Sequence, residues 1–319
     1  MTEINRPAAE IRAAYVETIT ALAEKNKNIV VLEADLMSCT NTGSFKKLYP
    51  DRFVNVGIAE ANMISVAAGL SAVGKIPFAA TFACFASRRA YDQFFISANY
   101  ARLNVKLVGT DPGVTAAFNG GTHMPFEDLA LMRAVPKLTI VEPSDRWACA
   151  AFVKEAAETY GCVYIRFPRK PVPVLYTERD QFTFGKAKVL QSGKDVCFMA
   201  LGSLMVNECL KAREILAGEG IDAGVVDILT LKPIDRETVL AEAAKAGCVI
   251  SAENHQINGG LGSAVAEILA ESSYGGKFAR IGIMDEFGEV GTQDYLTKRF
   301  GLDAGTIAAR AKALAGRDG

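Results

Sequence analysis

Histidine is scarce in this chain: among 319 residues only His123 and His255 occur. A histidine-rich metal site is therefore excluded, and imidazole acid–base work has one candidate in each half. Seven cysteines are present, an odd number, and none are spaced as CxxC. That argues against a disulfide framework or a zinc site and for reduced thiols. No apolar run approaches the ~20 residues of a membrane helix. The N-terminal stretch MTEINRPAAEIRAAY lacks the apolar core of a signal peptide. A cytoplasmic location is the resulting expectation. The 35 basic and 36 acidic side chains leave a net charge of −1 without any long like-charge block, so neither nucleic acid nor a membrane surface is expected as a partner. Tandem repeats are missing, and no strand is followed by GxGxxG, the dinucleotide fingerprint.

What is there is an alternation of apolar strands and amphipathic helices. Half of the residues are apolar, enough to fill the cores of two domains. The first series runs from a helix over 8–25 through the strand NIVVLEADL, a polar loop (Ser38, Cys39, Thr40, Asn41), and the strand FVNVGI. A helix from Glu60, the strand IPFAATF and a helix over about 89–100 follow. Next come NVKLVGTD, a Gly/Asn-rich loop, a short helix DLALMRAV, LTIVEPSD, a helix over 145–160 with Ser144 as its N-cap, and CVYIRFP. The stretch RKPVPVLYTERDQFTFG reads as a linker. A second series follows: DVCFMALGS, a helix to about 218, AGVVDILTL, CVISAEN, a helix opened by Gly259-Gly260-Leu261-Gly262, and a closing RIGIMDE. The expected fold is α/β with two domains, 1–175 and 185–319, each a mainly parallel sheet flanked by helices.

Residues 53–85 are the centre of this pattern. Glu60 stands at a strand-to-helix corner, and Phe82 and Phe85 emerge where the next strand ends. In an open α/β sheet that rim is where ligands bind. A glutamate in a helix's first turn is favoured by the helix dipole alone, and phenylalanines at a strand end serve a core equally well. Their combination is more specific: a flat ring could stack on a phenylalanine while Glu60 bonds to its edge.

The stretches Gly57-Ile58-Ala59-Glu60 and Thr81-Phe82-Ala83-Cys84-Phe85 resemble the pyrimidine-binding domain of transketolase. SAENHQINGGLGSAVAE resembles the C-terminal domain of transketolase and its 2-oxoacid dehydrogenase relatives, so the likeness covers nearly the whole chain. It implies thiamine diphosphate as cofactor. In the family a glutamate bonds a pyrimidine nitrogen and shifts the ring tautomer, so that an imine becomes a base beside the reactive carbon; by position Glu60 takes this role. Phe85 would stack the pyrimidine face and Phe82 would line the pocket. Asn119-Gly120-Gly121-Thr122-His123 resembles the D-G-x-T-H segment, whose histidine contacts substrate oxygens, so His123 carries that role over. Asn119 stands where transketolases usually have an aspartate that reads a substrate hydroxyl.

The family holds a sugar's far phosphate with two arginines, a serine and a histidine. Arg12 and Arg169 match the arginines. Cys39 falls near the serine position and Asp111 near the histidine position. A carboxylate there is unfavourable beside a phosphate unless screened. These departures imply an altered substrate: a shorter or branched sugar phosphate, the branched kind exemplified by apulose 4-phosphate, or a different anion such as a sulfonate. His255 and the Gly-rich turn after it read as structural.

The family's diphosphate and Mg2+ need a separate domain carrying GDG…N, and no such segment occurs here. The resemblance therefore implies the C-terminal subunit of a split transketolase of pentose-phosphate type. Glu60, Phe82 and Phe85 are expected to serve the cofactor, with no metal ligand on this chain. Mg2+ would be held by an N-terminal partner subunit, and self-dimerisation would give a heterotetramer. Two rival readings are the β subunit of a 2-oxoacid dehydrogenase and a non-catalytic regulatory subunit. TFACF and GGTH count against the first, and Glu60 and His123 against the second.

Overall fold

The structure, a computed structural model, describes residues 7–316; the outermost residues of the two expected domains lie outside it. In chain order the first half holds β1 (Ala8–Glu10), β2 (Ile29–Glu33), β3 (Phe53–Asn55), β4 (Ile76–Phe82), β5 (Lys106–Thr110), β6 (Thr139–Val141), β7 (Val163–Phe167) and β8 (Pro171–Pro173). The second half holds β9 (Lys188–Gln191), β10 (Val196–Leu201), β11 (Ala223–Asp227), β12 (Thr230–Lys232), β13 (Cys248–Gln256) and β14 (Lys277–Ile283). The central strands β2, β5 and β7 are buried end to end, as a parallel sheet covered on both faces requires.

The larger sheet has the order β12-β6-β7-β5-β4-β2-β3, the smaller β14-β13-β10-β11-β9. All pairs are parallel except the edge strands β12 and β9. The expected mainly parallel sheets are therefore present, with one difference. AGVVDILTL is not one strand. The chain breaks at Leu229, which takes a left-handed φ of 56°, and β12 crosses over to close the edge of the first sheet. A single apolar cluster accordingly runs through both halves, joining Met63, Leu107 and Leu138 to Val226 and Val265.

Other local expectations are corrected. Asp145, not Ser144, caps the helix Arg146–Glu158: its Oδ1 accepts from the N–H groups of Trp147 and Ala148 at 2.9 and 3.0 Å. Its other oxygen accepts from Leu175 and Tyr176 N–H at 2.9 and 2.8 Å, tying down the expected linker. That segment is a packed strap. β8 pairs with β1, Tyr176 is buried, and Phe182 and Phe184 pack on Phe152. Part of the polar loop at 38–41 is a helical turn, Met37–Thr40. The helix expected over 89–100 is instead a short turn, Tyr91–Gln93, running into a π-helix, Phe94–Tyr100. Two further helices, Gln293–Arg299 and Ala304–Ala315, follow the expected end of the series.

Where the halves meet, a charged group is fully enclosed. Arg166 grips both oxygens of Asp128 at 2.8 and 3.1 Å and one oxygen of Glu142 at 2.5 Å, and donates to the Asn254 carbonyl at 2.8 Å. Tyr164 adds a hydrogen bond to Asp128 at 2.9 Å. Burial pushes the Glu142 carboxyl up to about 7 even though Arg166 pulls it down.

Candidate active site

The corner that carries Glu60 is shaped by side-chain hydrogen bonds. Asn55 Oδ1 accepts from the N–H groups of Asp35 and Gly57 at 3.0 and 3.1 Å, and Gly57 turns the chain with a φ of 73°. Glu60 then opens the helix Glu60–Ala72 and is only 3% exposed. β4 ends at Phe82, and the helix Ala83–Arg88 that follows carries Phe85. The two rings stack with centroids 5.9 Å apart. The His123 ring stands edge-on to both, at 5.3 Å from Phe85 and 6.2 Å from Phe82. Thr122 Oγ1 lies 2.9 Å from His123 Nδ1. Arg88 holds this loop by donating to the carbonyls of Thr122 and Met124, both at 3.1 Å, while paired with Glu127. Phe82, Phe85 and His123 therefore meet at one place, and Glu60 is joined to Phe85 through a shared arginine.

A residue the sequence did not single out sits among them. Arg89 bonds the buried Glu60 carboxylate, Nη1 to Oε1 at 3.1 Å, and its guanidinium lies over the Phe85 ring at 4.0 Å. Only its position, four residues after Phe85 on a helical run, could have signalled the stacking. Its side chain is half exposed.

The second set of expected residues lines a neighbouring cavity of about 330 Å³: Arg12, Asp111, Asn119 and Arg169, together with Glu10 and Lys170. Phe82 joins the two regions, because Arg169 lies over its outer face at 4.9 Å. Both arginines have internal counter-charges. Arg12 bonds both oxygens of Glu10 at 2.8 and 3.1 Å, and Arg169 pairs with Asp111. Burial raises the Asp111 carboxyl while Arg169 opposes the rise. The carboxylate that looked out of place beside an anion is thus screened, a pairing across 58 residues that no motif displays. Cys39 enters through its backbone: its carbonyl accepts from Arg12 Nη1 at 2.9 Å. Glu10, two residues before Arg12, and Lys170, next to Arg169, were the charged residues missed here.

The Gly-rich turn before the helix Leu261–Ala270 is already occupied by a carboxyl group, Glu253, which burial pushes up to about 7 against the pull of its hydrogen bonds. Glu253 accepts from the N–H groups of Leu261 and Gly262 at 2.6 and 2.7 Å, filling the helix N-terminus that a phosphate would need. His255 is buried beside it. Its Nδ1–H donates to the Gln256 carbonyl at 2.6 Å and its Nε2 accepts from Ala130 N–H at 3.3 Å. Burial lowers its pKa to about 4, so it is neutral and structural. Among the described residues no group of three or more His, Cys, Asp or Glu side chains could hold a metal.

The buried carboxylate and paired phenylalanines at the rim of one α/β sheet, followed by a second α/β domain, are those of a known class. The sequence matches the transketolase pyrimidine-binding domain over residues 8–174 and the transketolase C-terminal domain over residues 185–307. The chain belongs to the transketolase family. It is 48% identical over 301 residues to the 6-deoxy-6-sulfo-D-fructose transketolase subunit SqwH of Clostridium sp. (strain MSTE9), covering 94% of this chain and 93% of that protein. Against human transketolase it is 34% identical over 307 residues, which are 95% of this chain but only 48% of the human protein. A solved split-gene transketolase, an inactive β4 tetramer, superposes with a TM-score of 0.88 at 43% identity, covering 98% of this chain and all of that one. The chain is thus a subunit of the split transketolase type. No helix among the described residues is long and apolar enough to cross a membrane.

Proposed function

We propose that this chain is the C-terminal subunit of a thiamine-diphosphate-dependent transketolase, moving a two-carbon ketol unit from a ketose to an aldose phosphate. The carrying observation is the buried Glu60 bonded to the guanidinium that lies on the Phe85 face, with His123 edge-on to the same ring. Arg89 supplies the fit test for the cofactor. A planar, hydrogen-bond-donating group already lies on Phe85 and bonds Glu60 at once, so an aminopyrimidine suits the same two contacts. When bound, thiamine diphosphate supplies a nucleophilic carbon that carries the two-carbon unit. Glu60 would hold the ring edge at its carboxylate and would exchange a proton there. Phe85 orients the ring, and Phe82 keeps water from its side. Thr122 engages His123 Nδ1, so proton transfer to substrate oxygens falls to Nε2.

Arg89 and the cofactor contend for one face of Phe85. In the assembled enzyme Arg89→Met is expected to lower the thiamine diphosphate dissociation constant about fivefold, the scale of one exposed cation–π contact. A fluorescence titration checks this; weaker binding in the variant means that Arg89 supports the ring and does not contend with it.

The cavity beyond Phe82 would take the substrate's far anion. Three cations (Arg12, Arg169, Lys170) against two carboxylates (Glu10, Asp111) leave one positive charge. A sulfonate carries one negative charge, whereas a phosphate monoester carries about 1.5 to 2 at pH 7. Together with the sulfosugar named for the relative SqwH, this balance favours a sulfonated ketose over a branched one such as apulose 4-phosphate. Asn119 offers a neutral amide to the sugar hydroxyls. Diphosphate and Mg2+ belong to an N-terminal partner subunit with GDG…N, in a cytoplasmic heterotetramer, and the domains divide at 1–175 and 185–319.

The test mixes purified chain and partner with thiamine diphosphate and Mg2+ and assays a panel of donors. Turnover is expected only in the mixture, with kcat/KM for a sulfonated ketose roughly tenfold above its phosphate counterpart, or ~1.4 kcal/mol. Full turnover by this chain alone overturns the split. Lipoyl-linked decarboxylation of a 2-oxoacid in place of ketol transfer overturns the reaction.

A further inference from the structure

The loop 111–119 holds three residues in the left-handed half of φ: Asp111 at 56°, Gly113 at 53° and Ala117 at 49° with ψ −118°. Side chains other than glycine adopt such angles only where the surroundings over-determine them. Part of that constraint comes from the other domain. Asn254, on β13, donates from Nδ2 to the Pro112 carbonyl and accepts at Oδ1 from Val114 N–H, both at 2.9 Å. One amide thus brackets Gly113 as a neighbouring strand would. Gly113 is closed against it: a Cβ there would lie 2.1 Å from Asn254 Oδ1. Asn254 is 2% exposed, and its own carbonyl accepts from the enclosed Arg166 at 2.8 Å. Its side chain is committed to the loop and its main chain to the domain junction.

The loop so held carries Asp111 at one end and Asn119 at the other, and both line the cavity beside Arg12 and Arg169. Asp111 N–H also donates to the Phe167 carbonyl at 3.1 Å, which seats that end against β7. A shift of the bracket would move the Asp111–Arg169 pair and Asn119 relative to each other.

We propose that Asn254 is a positioning residue that sets the shape of the anion cavity, so that the C-terminal domain takes part in substrate choice without touching substrate. This rests on the cavity receiving the substrate's far anion. Glu60 and Phe85 stand on other elements, so their face is set apart from the bracket, whereas His123 follows Asn119 by four residues on the same stretch.

The experiment compares Asn254→Ala and Asn254→Asp with the wild type in the assembled enzyme. Aspartate keeps the acceptor for Val114 N–H and loses the donor to Pro112, and so separates a lost bracket from a lost fold. KM for the anionic donor is expected to rise about tenfold in both variants: alanine loses both hydrogen bonds, and aspartate keeps one but sets a carboxylate oxygen against the Pro112 carbonyl. Thiamine diphosphate affinity is unchanged, since Glu60 and Phe85 do not stand on the loop, and kcat, which reaches the loop only through His123, falls by a smaller factor than KM rises. Phosphate and methanesulfonate, titrated directly against the folded chain by NMR, weaken by the same factors. That measurement reads the cavity whether or not the complex turns over. Unchanged KM and unchanged anion affinity in both variants overturn the proposal. So does a parallel loss of kcat and cofactor affinity, which marks a general structural role. If neither anion binds the wild-type chain near Arg12 and Arg169, the cavity assignment itself falls, and the proposal with it.

Discussion

Glu60→Gln in the assembled enzyme is expected to lower kcat by about 10² to 10⁴, the range of a lost acid–base group. The side chain is buried at the first turn of its helix, and its oxygen meets a stacked planar group on Phe85. Glutamine keeps the shape and one acceptor oxygen, so the stacking surface and the fold survive. It cannot exchange a proton with a ring nitrogen. The loss should therefore fall on kcat, with thiamine diphosphate still bound. Single-turnover kinetics and a cofactor titration on the same preparation separate the two effects. Turnover equal to the wild type would return the chain to the reading of a silent regulatory subunit.

The second large effect concerns stability. Arg166→Met is expected to cost about 3–5 kcal/mol of unfolding free energy, because removing one partner of an enclosed ion group strands the others. Asp128 and Glu142 would remain buried, and the Asn254 carbonyl would lose a donor. The deficit should depend on pH. The Glu142 carboxyl is raised from 4.5 to about 7 with the arginine in place and would rise further without it. A group raised on folding contributes stability that is present below its unfolded value and is lost as pH rises through the folded one. The variant should therefore be closest to wild type near pH 5 and furthest from it near pH 8. Urea unfolding at both values checks this. A deficit under about 1 kcal/mol at both would mean that the group is no more than the usual surface pair.

Alternation of apolar runs announced two α/β domains because strand and helix periods are local. Glu60, Phe82 and Phe85 were legible for the same reason: a strand end and a helix start fix where neighbouring side chains point. Edges were less legible. β12 reads as the tail of β11 until one left-handed residue, Leu229, diverts it. The segment 171–185 has the prolines and charges of a linker, yet Asp145 and Phe152 recruit it into a strap. The two last helices are capped by Thr292 and Asp303, residue types whose capping role is local and so legible in the sequence.

The amino-acid sequence by itself determined which chemistries this chain can offer: one carboxylate at a corner, two ring faces, one histidine in the first domain, two arginines. Those follow from residue identity and from contacts within a few residues. The tertiary structure decided which charges face each other. Arg89 reaches Glu60 across 29 residues and Asn254 reaches Pro112 across 142. Such partners are chosen by strand order and domain packing, since hydrogen bonds form wherever the folded chain brings donor and acceptor within about 3 Å, whatever their separation along it.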